Sequence, residues 1–152
     1  MKIRCATSED IDVLVDARLR FNDELYPAYH VRNETLATQF RSYLPLAIES
    51  GDFIGVLGYV DEDLVSTVYL VTRDMPANSF MPHGRYGTLL NVFTFPQYRG
   101  QGYGKQAVEA TIAKAREIGL EVIDLEATAM GRGLYENIGF SVRPLTSMRM
   151  IL

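Results

Sequence analysis

The chain has 152 residues, 47% hydrophobic and 22% charged, with a formal net charge of −4. This composition fits a globular domain with one buried core and excludes the disordered and fibrous classes. No apolar run nears the roughly 20 residues of a membrane-spanning helix, and the single cysteine rules out an internal disulfide and a multi-thiolate zinc site. The acidic balance argues mildly against a nucleic-acid backbone as partner. It suits a cationic ligand, although solubility alone gives the same charge. Residues 1–5 alternate like a strand and lack a signal peptide's apolar stretch, so one domain over 1–152 and a cytoplasmic location are expected. Cys5 is expected to pack as a small hydrophobe.

In chain order, residues 2–6 read as a strand. Thr7-Ser8-Glu9-Asp10 is a capping-box pattern. Ile11, Leu14, Val15, Arg18 and Leu19 follow at three- and four-residue spacing and predict an amphipathic helix over 8–20. Asn33 reads as a second N-cap, ahead of Leu36, Phe40, Tyr43, Leu44, Ala47 and Ile48 in helical period. Pro45 is expected to kink that helix or end it early. Residues 53–60 and 64–71 are rich in β-branched and aromatic side chains around Asp61-Glu62-Asp63, which predicts a hairpin. Residues 72–87 carry Pro76, Asn78, Pro82, Gly84 and Gly87 and read as a long loop, a length often tied to function.

Residues 89–95 read as a strand stopped by Pro96. After a glycine-rich stretch, Ala107, Val108, Thr111, Ile112, Ala115 and Ile118 predict a helix that stops at Gly119. In a strand over 121–127, Ile123, Leu125 and Ala127 point one way and Asp124 and Glu126 the other. A short helix over 131–137 and two strands, near Phe140 and over 148–151, complete the order β-α-α-β-β-β-α-β-α-β-β. The unit over 89–127 is expected to be a right-handed crossover between parallel strands. With an antiparallel hairpin before it, the sheet is mixed.

The stretch Arg99-Gly100-Gln101-Gly102-Tyr103-Gly104 sits between a strand and a helix. Glycines let the backbone turn tightly and approach a ligand closely. The helix start offers unpaired N–H groups and the positive end of its dipole, a combination suited to a pyrophosphate, with Arg99 as an adjacent cation. Many strand–helix junctions carry glycines only for turning, so the pattern alone leaves both readings open. A P-loop fails because Gly104-Lys105 is followed by Gln106. A dinucleotide fingerprint fails because Lys105 stands where the third glycine belongs.

The segment resembles motif A of the GNAT superfamily of N-acetyltransferases, Gln/Arg-x-x-Gly-x-Gly/Ala, through Arg99, Gly102 and Gly104. Residues 89–98 resemble the strand leading into it. Leu134-Tyr135-Glu136-Asn137-Ile138-Gly139-Phe140 is similar to the family's Leu-Tyr-x-x-x-Gly-Phe stretch. The resemblance covers essentially the whole chain. It implies an α/β fold with a central mixed, mostly antiparallel sheet flanked by helices, and acetyl-coenzyme A as co-substrate without a metal.

By position it implies that backbone N–H groups from Arg99 through Gly104 hold the pyrophosphate. Val92 and Thr94 would serve the pantetheine arm in a gap between splayed strands, and a β-bulge near Val92 or Phe93 would free an N–H for the acetyl carbonyl. Tyr135 matches the family tyrosine that protonates the departing sulfur, against the alternative of packing beside Phe140. Glu126, with Asp124 behind it, is the candidate base, provided burial raises its pKa; the alternative is that both carboxylates face solvent or a cation.

Thr128 stands where many relatives have a cofactor-holding asparagine, and Arg132 faces either the cofactor or solvent. His30 and His83 read as surface residues. Met75, Phe80 and Met81 either line an acceptor pocket or cover the core edge. The implied reaction is acetyl transfer to a primary amine of a small molecule or peptide by direct attack, in a monomer or homodimer without nucleic-acid or membrane partners. The alternative is a non-catalytic acyl-coenzyme A binding module.

Overall fold

The computed structural model describes residues 1–28 and 33–152; His30 lies outside the described residues. Five strands form one sheet in the order β1 (Lys2–Cys5), β2 (Phe53–Val60), β3 (Asp63–Asp74), β4 (Arg85–Thr94), β5 (Val122–Leu125). The first four are antiparallel neighbours, whereas β5 runs parallel to β4, joined to it through α3 (Tyr103–Glu117). Helices α1 (Ile11–Leu25) and α2 (Asn33–Ser50) cover one face of the sheet; α3 and the short α4 (Arg132–Ile138) cover the other.

The side-chain periods explain the two layers. Leu14, Val15, Leu44 and Ala47 close over Phe53, Leu57 and Tyr69 on one face, and Ala107, Val108 and Ala115 close over Val56, Val68, Leu70 and Leu89 on the other. Each fully buried aliphatic side chain contributes about 1.5–3 kcal/mol. Gly55 permits the close approach of α1, since a Cβ there would stand 2.7 Å from Leu14 Cδ2. The Tyr69 hydroxyl ties the layers by donating to the Leu14 carbonyl. Before α1, the capping box forms: Thr7 N–H donates to Asp10 Oδ2 at 2.8 Å, in a 3-10 turn over Ser8–Asp10. Arg4 grips the same carboxylate with two bonds of 2.6 and 2.7 Å and, with burial opposing, holds Asp10 down to about 2.

Several expectations are corrected. Pro45 lies within α2, which runs on to Ser50. The proline is exposed, so water can satisfy the carbonyl it leaves unpaired, while buried Leu44 and Ala47 hold both sides of it to the sheet. The long loop shrinks to residues 75–84, because Thr72, Arg73 and Asp74 pair with Gly87, Tyr86 and Arg85. Cys5 is exposed rather than packed. Residues 140–152 form no strand, and Val142, Leu145, Met148, Met150 and Ile151 stand exposed. No helix among the described residues is long and apolar enough to cross a membrane.

Candidate active site

The site begins with a mismatch in strand length. β4 and β5 pair only from Tyr86–Val122 to Leu89–Leu125. Beyond that point β4 continues through Thr94, while the chain after Leu125 turns away toward α4. A wedge opens at the carboxyl ends of the two parallel strands, where open α/β sheets place their ligands. A cleft of about 1170 Å³ occupies it, reaching from Arg18 and Phe21 of α1 past β4 to Tyr135 of α4.

A bulge shapes the wedge wall. Thr67 faces Phe93 and Tyr69 faces Leu90, so Asn91 and Val92 together oppose the single residue Val68. Asn91 takes the left-handed conformation, φ +50°, which asparagine tolerates better than most residues. Its buried side chain fixes the bulge: the amide donates to Thr67 Oγ1 at 3.3 Å, and the carbonyl accepts from Arg18 at 3.4 Å. The bulge thus falls at Asn91–Val92, and Val92, Phe93 and Thr94 follow it along the cleft.

The glycine turn lies where β4 meets α3. Gly100 and Gly102 have φ of +75° and +80°, and a Cβ on either would meet open space. Gly102 caps α3 with no side-chain bond, and the first intrahelical bond runs from Gln106 N–H to Gly102. The N–H groups of Tyr103, Gly104 and Lys105 are left without an intrahelical acceptor. Gln101 is exposed at the apex of the turn. Gly104 lets α3 come down on the strand end, since a Cβ there would lie 2.9 Å from Thr94 Oγ1. Arg99 stacks over Phe93 at 5.7 Å, donates to the Thr94 carbonyl at 2.9 Å and pairs with Glu24 of α1 at 2.6 Å. Its charge is therefore shared with a carboxylate rather than aimed only at a ligand.

Tyr135 is 9% exposed, edge-on to Phe140 at 5.9 Å, and lines the cleft. Burial pushes its phenol above the usual value, and no hydrogen bond to its hydroxyl forms among the described residues. It does pack against Phe140, yet its polar end is left for the cleft. Thr128 lines the cleft, but its hydroxyl is engaged in accepting from Gly131 N–H at 3.1 Å at the start of α4.

The two carboxylates separate. Glu126 stands at the rim, its side chain 76% accessible and 3.3 Å from Arg149, so the burial expected of it is missing. Asp124 lies deeper, 24% accessible, accepting from the Tyr86 hydroxyl at 2.9 Å and pairing with Arg143 at 2.7 Å. Arg132 pairs with Glu136 on the surface of α4. His83 is exposed and bonded to Glu121 through both ring and backbone. Met81 covers the core edge, Phe80 is exposed, and neither they nor Met75 line the cleft.

Arg18, Glu24 and Asn91 were not anticipated as site residues. A signal existed for two of them: Arg18 is a cation on the inward stripe of a helix, and Asn91 a polar residue within an apolar strand run.

The splayed mixed sheet, with its glycine turn leading into the crossover helix, is an acyltransferase fold. A predicted acetyltransferase from Clostridium acetobutylicum, solved with acetyl-coenzyme A, superposes with a TM-score of 0.82 at 23% identity, over 97% of this chain and 95% of that one. A GCN5-related N-acetyltransferase from Ralstonia eutropha JMP134 gives 0.81 at 22% identity, over 98% and 97%. At these identities the likeness is one of fold. The acetyltransferase (GNAT) family itself matches over residues 11–140, and the chain belongs to that family. Among curated proteins, none matches the chain.

Proposed function

We propose that the protein transfers an acetyl group from acetyl-coenzyme A to a primary amine of a small molecule or peptide by direct attack, in the cytoplasm. The observation that carries this reading is a single cleft that runs from the bulge at Asn91–Val92 along the unpaired edge of β4 to Gly104, at the start of α3, where the first N–H groups have no intrahelical acceptor.

The donor set fits the co-substrate. A helix start with glycines in front of it suits a pyrophosphate, and the unpaired edge of β4 from Leu90 to Thr94 offers peptide groups to an amide-bearing arm. Acetyl-coenzyme A supplies the activated thioester carbonyl. The bulge presents N–H donors where negative charge develops on the carbonyl oxygen as the amine nitrogen bonds to carbon. Tyr135 donates its proton to the sulfur as the carbon–sulfur bond breaks; its raised pKa keeps that proton in place at neutral pH. Asp124 and Glu126 line the same cleft and can accept the proton the amine sheds, with Asp124 the more sheltered.

Calorimetric titration with acetyl-coenzyme A, against ATP and NAD as controls, tests the donor. Selective binding supports the proposal. Absence of binding, or equal binding of ATP, refutes it.

A further inference from the structure

The charges in the cleft do not balance. Among the described residues five arginines line it (Arg18, Arg73, Arg99, Arg143 and Arg149) against three carboxylates, Glu24, Asp124 and Glu126. Each carboxylate is already taken: Glu24 by Arg99, Asp124 by Arg143, and Glu126 by Arg149. Arg18 and Arg73 remain without a carboxylate among the described residues. The four residues outside that set, Tyr29-His30-Val31-Arg32, bring none.

The two differ in kind. Arg73 is exposed and lies over the Tyr86 ring at 5.0 Å, a contact that holds a surface guanidinium without an anion. Arg18 is half-buried on the inward side of α1, 5.8 Å from the Phe21 ring. Its one side-chain hydrogen bond among the described residues is the 3.4 Å contact to Asn91 Oδ1, and burial lowers its pKa against the opposing influence of Tyr69 and Tyr26. A guanidinium has five donors, and withdrawing it from water is costly unless an anion meets it.

Arg18 also lies away from the phosphate end. It touches the bulge, whereas the glycine turn follows Thr94, three residues and about 10 Å further along the strand. There the start of α3, with Arg99 beside it, is the part the acetyl-transfer reading gives to the pyrophosphate. The cation at the bulge lies on the α1 face of the sheet, and Asp124, which alternates with Ile123 and Leu125 of the α3 face, lies on the same side.

We propose that the acceptor amine also carries an anionic group, a carboxylate or a phosphate, which Arg18 holds beside the bulge while the amine meets the thioester. This rests on the acetyl-transfer reading above and adds the acceptor's chemical class. Arg18 is then a specificity-determining residue that pays for its own burial only when such an acceptor is bound.

The test is a thiol-release assay on matched amines: amino acids against their amides, and phosphorylated amino sugars against the unphosphorylated sugars. Wild-type protein should favour the anionic member of at least one pair by about ten- to hundred-fold in kcat/KM, the range for a charged hydrogen bond. Which kind of pair responds tells carboxylate from phosphate. Arg18→Gln should erase the preference and Arg18→Lys retain part of it, with acetyl-coenzyme A calorimetry on each variant showing that the bulge Arg18 helps to hold is still formed. Equal or better use of the neutral members overturns the inference, as does a preference that survives Arg18→Gln, or an inert panel despite intact acetyl-coenzyme A binding. If Arg18→Gln does not fold, the wild-type and Arg18→Lys results still decide. Loss of acetyl-coenzyme A binding by the wild type would instead strike the acetyl-transfer reading itself.

Discussion

Replacing Tyr135 by phenylalanine separates its two roles. The ring keeps its edge contact with Phe140, and the lost hydroxyl has no hydrogen bond among the described residues. Stability should therefore change by no more than about 0.5 kcal/mol, or one to two degrees in Tm for a domain of this size. Acetyl-coenzyme A affinity should stay within about two-fold. Turnover should fall by about 10²–10⁴-fold, the usual contribution of a positioned general acid, equal to about 3–5 kcal/mol of barrier. Thiol release under saturating acetyl-coenzyme A measures the loss, and thermal melts and calorimetry provide the controls. Since burial raises the phenol's pKa above 10, its acid form prevails through neutral and mildly alkaline pH, and kcat should show no descending limb well below 10. Turnover within about three-fold of wild type, or such a limb assigned to Tyr135, would refute the acid role and leave packing alone.

Gly102→Val should abolish acetyl-coenzyme A binding in calorimetry while costing only about 1–3 kcal/mol of stability. The strain comes from φ +80°, and the added Cβ meets no protein atom within 4 Å. Asp10 should carry an acid-sensitive share of stability. Its pKa falls from 3.8 to about 2 on folding, worth up to about 2 kcal/mol, less some screening because Arg4 is 42% exposed. A depressed carboxylate stabilises above its unfolded pKa and loses that as pH drops through its folded one. Denaturant melts should therefore show a fall of about 1–2 kcal/mol between pH 4 and pH 2 that Asp10→Asn lacks. Tyr69→Phe should cost about 0.5–1.5 kcal/mol in urea melts, because it removes a buried hydrogen bond while the Leu14 carbonyl keeps its partner within α1.

What the sequence disclosed was local. Ala107, Val108, Thr111 and Ala115 lie on one inward stripe at helical spacing, so α3 could be read directly, as could the glycines ahead of it and the Thr7–Asp10 box. What it hid depends on partners far along the chain. The apolar residues near 140–151 read as strands by composition, but a strand exists only against a neighbour, and the sheet ends at β5. Residues 72–74 and 85–87 looked like loop because of the turn residues near them; pairing across the hairpin extends both strands over them. Arg18 fitted the inward stripe of α1, yet its surroundings are set by a bulge 73 residues later. Glu126 alternated correctly with Ile123 and Leu125, but alternation gives a face and not a depth, and Glu126 lies past the end of β5.

The bulge at Asn91–Val92 also makes β4 intolerant of changes in its length. Ahead of it, even-numbered Leu90 lies opposite Tyr69 on the side of α1; behind it, odd-numbered Asn91 and Phe93 reach Arg18 and Phe21 on that same side. The extra residue reverses the parity of the strand midway. Deleting one residue between Leu90 and Phe93 would restore simple alternation and turn either the strand before the bulge or the approach to the glycine turn inside out. Loop 75–84 can absorb insertions during divergence, whereas this segment must keep its residue count even where its residue types drift.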